Sequence, residues 1–235
     1  MKILKILSVE TSSIVCSVAI LEDNRILYKN SIDNALSHSE NLMPMIKKAF
    51  DETNLTLADI DLFACSKGPG SFTGIRIGIS TVKAFVDVYN KPSFGISSLE
   101  GLAYNIENSE YVCSIINAKN NNAYAALYEN KNGIYELKLD YLSTDITSII
   151  NKLNSFIDED ITFVGDGSVE FNNLLKTTFK NANFAQNNTN KCNAVSIGIA
   201  AFNHFKNNLN FDNSFSPMYL KKSQAERQLE EGKLK

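Results

Sequence analysis

At 235 residues, 44% hydrophobic and 21% charged, the chain has an ordinary globular composition with room for one domain or two small ones. Its 23 Lys and Arg against 26 Asp and Glu leave a net charge of -3, which excludes a global basic field for holding nucleic acid. The apolar stretches fall well short of the roughly 18 residues of a membrane span, and Lys5 and Glu10 interrupt the opening "MKILKILSVE" where a signal peptide would be unbroken, so the chain reads as soluble, unexported and cytoplasmic.

Taken in order, Val- and Ile-rich runs at Ile3 to Val9, Val15 to Leu21 and Arg25 to Lys29, parted by the turn residues "TSSI" and "EDN", predict a three-stranded meander. A helix follows from about Ser39, then a strand "DLFACS" from Asp61, a glycine-rich loop and a second helix from about Gly74. Pro92 stops that helix, and a short strand is expected at Ser93 to Ile96. The second half repeats this order. Strands are expected at Tyr111 to Asn117, Ala123 to Glu129 and Ile134 to Leu142, and a helix over Thr144 to Phe156. A strand from Ile161, a helix over Ser168 to Phe179, a strand near Asn183 to Ala185 and a last helix over Ala194 to Phe205 complete it. Cys16, Cys65, Cys113 and Cys192 are far apart and form no C-x-x-C, so they read as free thiols rather than a disulfide framework or a zinc site.

Each half therefore reads βββαβαβ, a doubled unit that predicts an α/β protein of actin-like, Hsp70-like architecture: two ribonuclease-H-like lobes facing across a cleft. The expected division is residues 1–103 plus 194–220 as the first lobe, 104–193 as a second, degenerate lobe, and a charged tail over 221–235. A ligand in this architecture lies between the lobes with its phosphates at the meander turns, here Glu10 to Ser13 and Lys119 to Asn122. The loop "SKGPGSFTGIRIG" is neither a P-loop, which needs four residues between its glycines and then a lysine, nor a dinucleotide fingerprint, whose last two glycines are closer. Gly68 and Gly70 permit close backbone approach, Ser71 and Thr73 suit a helix cap, and amides at the helix start beside Arg76 would hold an anion. The same spacing equally suits a loop that only turns a buried strand into a helix. Glu10, Thr11, Ser12, Gly68, Gly70, Ser71, Thr73 and Arg76 are the candidate anion or nucleotide contacts.

The strings "LSVETSSIVCSVAI", "HSENLMPMI", "KGPGSFTGIRIGISTVKAF", "KPSFGISSLEGLAY" and "SPMYLKKSQAE" occur in the order of the TsaB family, also called YeaZ, and resemble it across most of the chain. Asn117-Ala118-Lys119 departs from that family's usual D-A-R. The resemblance implies a scaffold subunit with no catalytic residues of its own. Its partners would be TsaD, which transfers a threonylcarbamoyl group to the adenosine beside the tRNA anticodon, and the ATPase TsaE. It also implies a homodimer when alone and contact with tRNA only through the complex. It fixes no cofactor and leaves ATP or ADP with Mg at the subunit interface open. TsaD holds its metal with two histidines four apart, a spacing that puts both on one helical face. Ser98 and Leu102 stand at the corresponding places here, and His38 and His204 have no second ligand at metal spacing, so no metal site is expected.

On a helical wheel the apolar arc of the second helix is roughly 220° wide, about twice what a helix resting on one sheet requires. Two helices that complete the core of the first lobe fit this pattern, and so does a face for another protein. The family's habit of joining partners through these helices, with the adaptable Met43 and Met45, selects Leu42, Met45, Ile46, Ala49, Ile75, Ile79, Val82 and Val86 as the partner interface. A glutamate at Val82 is then expected to break association and spare the fold. The rival readings are an ATP-binding phosphotransferase or peptidase of the same fold, for which Asp166 is the residue to watch, and a nucleotide-sensing subunit.

Overall fold

Three consecutive strands, β1 (Lys5–Glu10), β2 (Val15–Glu22) and β3 (Arg25–Asp33), open the computed structural model, which describes residues 3–33, 38–186, 188–207 and 215–221. Helix α1 (His38–Thr53), strand β4 (Leu62–Ser66), helix α2 (Phe72–Tyr89), strand β5 (Ser93–Ile96) and a short helix α3 (Ser98–Ala103) complete the first unit. The second contains β6 (Tyr111–Asn117), β7 (Asn122–Lys131), β8 (Ile134–Asp145), α4 (Ile146–Lys152), β9 (Ile161–Val164), α5 (Asp166–Glu170), α6 (Asn172–Thr178) and β10 (Ala182–Phe184). Helix α7 (Ala194–Lys206) follows, and residues 222–235 of the expected charged tail lie outside the described residues.

The sheet orders are β3-β2-β1-β4-β5 and β8-β7-β6-β9-β10, the same permutation twice. In each, the first three strands are an antiparallel meander and the last two run parallel to the first. The duplicated ribonuclease-H-like, actin-like architecture expected from the order of elements is the one found. The parallel strands β4 and β5 are buried along their whole length, as strands covered on both faces must be, whereas edge strand β3 alternates with solvent.

Local chemistry accounts for the element ends. Ser71 caps α2 by accepting from Gly74 N (3.2 Å), so this helix begins two residues before the expected Gly74, and Asn90 in the left-handed region ends it ahead of Pro92. The helix expected over Thr144 to Phe156 starts later, after Asp145 caps Ser148 N, and gives way at Leu153 to a 3-10 turn. That expected over Ser168 to Phe179 is two short helices meeting at Phe171. Helix α3, which the sequence reading left out, is capped by Ser97 accepting from Leu99 N.

One apolar core lies between the first sheet and α1 with α2, another between the second sheet and α4 with α6. The third joins the opposite face of the first sheet to α3, α7 and residues of the second sheet such as Val112 and Tyr128. Helix α7 lies across β1, β2, β4 and β5, fixed at its start by Ser8 Oγ donating to Ala194 O (2.7 Å) and Ala194 N donating to Ser17 Oγ (3.1 Å). The chain then returns in segment 215–221, where Phe215 enters the α1–α2 core and Met218 N donates to Lys67 O (2.7 Å). No described helix is long and apolar enough to cross a membrane.

Candidate functional site

The glycine loop owes its composition to the turn beneath it. A Cβ at Gly70 would stand 2.1 Å from Ser12 O, one at Gly74 2.0 Å from Thr11 O, and one at Gly78 2.3 Å from Thr11 Oγ1. These three glycines, four apart, let the start of α2 lie directly on the β1–β2 turn. The two are tied there by Ser71 N donating to Ser12 O (2.7 Å) and Thr11 Oγ1 donating to Gly74 O (2.8 Å). The sequence motif is met by protein backbone.

Beside this junction a cavity of about 690 Å³ opens between the two sheets. Of the eight candidate anion contacts, Ser12, Gly70, Ser71 and Thr73 line it. The other four do not. Gly68 packs under Met218 O, and Thr11 is buried beneath the helix start. Arg76 turns outward: its Nε donates to Tyr219 Oη (2.8 Å), and Tyr219 stacks on Phe72 with ring centroids 4.4 Å apart. Glu10 is fully buried, with Oε1 accepting from Ser12 N and Oε2 lacking any partner.

Burial therefore pushes the Glu10 carboxyl up, against the opposing pull of its contact with Ser12. A carboxyl whose folded value is raised contributes stability that is fully present below its ordinary value of 4.5 and is lost as pH rises through the raised value. Ser66 Oγ beside it is also buried without a partner. Glu10→Gln keeps an acceptor for Ser12 N and supplies an amide donor toward Ser66. The variant is expected to melt about 2–4 °C above the parent at neutral pH, the difference expected for roughly 1 kcal/mol in a chain of this size, and to lose that advantage toward pH 4. Differential scanning calorimetry across pH measures it; a variant that melts lower at neutral pH would contradict a buried carboxyl whose titration is raised by desolvation.

The wall from the second sheet contains Asn117, Lys119, Tyr124 and Asp166, with Asn190 and Lys191 from the segment before α7. Asp166 Oδ1 accepts from Asn117 N (2.9 Å), and its carboxyl is open to the cavity yet hemmed in by protein, so desolvation raises it while the surrounding backbone N–H groups, first that of Asn117, and to a lesser extent Lys119 pull it back. Asn190 Oδ1 accepts from Gly165 N (2.8 Å) and Nδ2 donates to Ala185 O (3.0 Å), fixing the loop that carries Asp166. Sequence reasoning had flagged Asp166 and the Asn117–Lys119 turn. It missed Tyr124, Asn190 and Lys191, because their place depends on the packing of distant segments and no motif marks them.

His38 heads α1, one residue before the expected start at Ser39, with Nε2 bonded to Ser13 O (2.8 Å). His204, in the last turn of α7, pairs with Glu100 (2.6 Å) on α3. Among the described residues no cluster of three or more His, Cys, Asp or Glu is placed to hold a metal ion. The four cysteines are free and buried, and burial raises Cys16 to about 11.

The eight side chains assigned to a partner interface are sealed inside the single subunit. Leu42, Met45, Ile46, Ala49, Ile75, Ile79, Val82 and Val86 are at most 7% exposed and share one core with β1, β2 and β4. The wide apolar arc of α2 is covered by the sheet on one side and by α1 on the other, so its width reflects two internal neighbours. The outward faces of these helices are lined by different residues, among them Met43 (50% exposed), Ala84 and Val88 (76%).

The family model of TsaD, described as tRNA N6-adenosine threonylcarbamoyltransferase, matches residues 33–229. The tRNA threonylcarbamoyladenosine biosynthesis protein TsaB of Bacillus subtilis is 30% identical over 132 residues, 56% of this chain and 58% of that protein, so the chain spans less than two thirds of that relative. The protein of the same description from Buchnera aphidicola subsp. Acyrthosiphon pisum is 31% identical over 182 residues, 72% of this chain and 79% of the relative. The solved structure of YeaZ from Pseudomonas aeruginosa shares the fold with a TM-score of 0.75 at 23% identity, covering 92% of this chain and all of the other.

Proposed function

The chain belongs to the TsaB (YeaZ) family, within the wider group that the TsaD model covers, and from that premise we propose that it is a non-catalytic subunit of tRNA threonylcarbamoyladenosine synthesis that docks TsaD and positions it with TsaE. The observation that carries this reading is the wall formed by α3. Where the resemblance places the two metal-binding histidines of TsaD, Ser98 is fully buried and donates to Ser12 Oγ (2.7 Å), and Leu102 packs into the apolar core. Neither offers a metal ligand or a proton-transfer group to the cavity. Transfer of a threonylcarbamoyl group to tRNA is therefore expected from TsaD with this chain and not from this chain alone. Transfer by the isolated chain would overturn the reading.

With the inner faces of α1 and α2 filled, docking falls to their outer surface. Ile77, Thr81, Ala84 and Val88 recur at three- and four-residue spacing along α2 and make one stripe. A shallow groove of about 530 Å³, lined by Ser39, Ile77, Ser80 and Thr81, separates the start of this stripe from α1. An exposed apolar stripe beside a groove suits a partner helix, and the same face serves a homodimer or TsaD, so the two assemblies compete. Nucleotide at that junction, and contact with tRNA through the complex alone, belong to the same proposal. Ala84→Glu with Val88→Glu is expected to weaken both associations at least tenfold in light scattering, with a melting temperature within about 2 °C of the parent, since exposed substitutions change stability by only about 0.5 kcal/mol. Unchanged assembly would move the docking face elsewhere.

A further inference from the structure

The docking role touches the cavity between the sheets only along its Ser39 and Ile77 edge, yet the opposite walls are dressed for a ligand. On one side the β6–β7 turn holds Lys119, Asn120 and Asn121 at φ of 66°, 52° and 62°, three consecutive residues in the left-handed region. Such strain is retained where the surroundings over-determine it. Here Lys119 N donates to Asn117 Oδ1 (2.8 Å) and Asn122 Nδ2 to Asn120 O (2.9 Å). The turn sets an exposed Lys119 at the rim, its ammonium without an ion pair among the described residues, near the Asp166 carboxyl that opens into the same space. The other lysine of the wall, Lys191, is already paired with Asp33 of β3. Behind these charges the lining is apolar, with Ile116, Tyr124, Ile77 and Leu102.

We propose that this cavity binds a small organic molecule that carries one anionic group, a carboxylate or a phosphate, together with a hydroxyl or amino group. The anion meets the Lys119 ammonium, the donor group meets Asp166, and the apolar body lies on Tyr124 and Ile116. A magnesium-bound triphosphate does not fit the same walls. Glu10, the one acid among the candidate nucleotide contacts, is sealed below the surface, Arg76 faces away toward Tyr219, and the Ser71 amide is occupied by Ser12 O. An amino-acid carboxylate and a nucleoside monophosphate share the chemistry that does fit. L-Threonine and AMP represent the two sources, chosen because the family's described reaction joins a threonine-derived group to adenosine.

Titration of the purified chain with L-threonine, AMP and magnesium-ATP, followed by amide chemical shifts, tests the assignment. Saturable binding of L-threonine or AMP is expected with a Kd on the order of 1 mM, weakened at least tenfold in Lys119→Met and in Asp166→Asn, and unchanged in Lys83→Ala on the outer side of α2. Failure of both L-threonine and AMP to saturate by about 20 mM would overturn the proposal. So would binding that ignores Lys119→Met, or magnesium-ATP binding tighter than AMP. Light scattering of Lys119→Met with TsaD separates this proposal from the docking role, because association is expected to persist whichever way the titration falls.

Discussion

Gly74→Ala is expected to destabilise the protein by at least about 3 kcal/mol, lowering the melting temperature by about 6–12 °C for a chain of this length. The added methyl would stand 2.0 Å from Thr11 O, a separation no relaxation of a side chain can relieve, because the opposing atom is backbone in the turn between two core strands. Thr11 is held from its other side as well, since its hydroxyl donates to Gly74 O. Helix α2 would have to lift from the turn, drawing Ile75 and Ile79 out of the core that both now fill. Gly133→Ala supplies the contrast. Gly133 has φ of +85° and nothing within 4 Å of its would-be Cβ, so alanine there meets only backbone strain of about 1 kcal/mol. Urea unfolding of the two variants measures the difference. Equal losses would show that close approach is not what the glycine provides, and weakened ligand binding with unchanged stability would return the loop to an anion-cradling role.

Val82→Glu is expected to unfold most of the population rather than to separate a folded monomer from its partner. Val82 is fully buried among side chains of α1, α2 and the first sheet. Removing it forfeits about 1.5 kcal/mol or more of apolar burial, and a carboxylate left in that space without a partner costs on the order of 3–5 kcal/mol more. Against a total stability of about 5–15 kcal/mol, this consumes much of the margin. Circular dichroism in urea reads the outcome, with Val88→Glu, exposed on the same helix, expected to keep the parent midpoint. If Val82→Glu kept a normal midpoint and lost only association, the inner face of α2 would be the contact after all.

That reversal marks where the sequence stopped being informative. The order of strands and helices was legible because alternation and turn residues are local, and two halves with one order predicted the duplicated sheets. Ser71 and Pro92 gave the limits of α2 to within two residues for the same reason. The wheel of α2 was not enough. An arc of roughly 220° records how many neighbours a helix has, and a sheet with an adjoining helix satisfies that count as fully as a second protein does. The glycine loop was ambiguous in a related way, since a glycine required by Thr11 O and one required by a phosphate leave the same letter. Lys119 and Asp166 were visible as residues, but not as neighbours, because the turn and the loop that carry them meet only through the register of β6 with β9.

The crossing of α7 over the first sheet bears on how the chain matures during synthesis. Strands β1 to β5 leave the ribosome early, but the helix that covers one face of their sheet and the Phe215 that plugs the other arrive more than ninety residues after α3. The intervening β6–β10 unit has its own core and all its strands in one uninterrupted stretch. During synthesis the half encoded first is thus left partly uncovered until α7 and segment 215–221 have followed it.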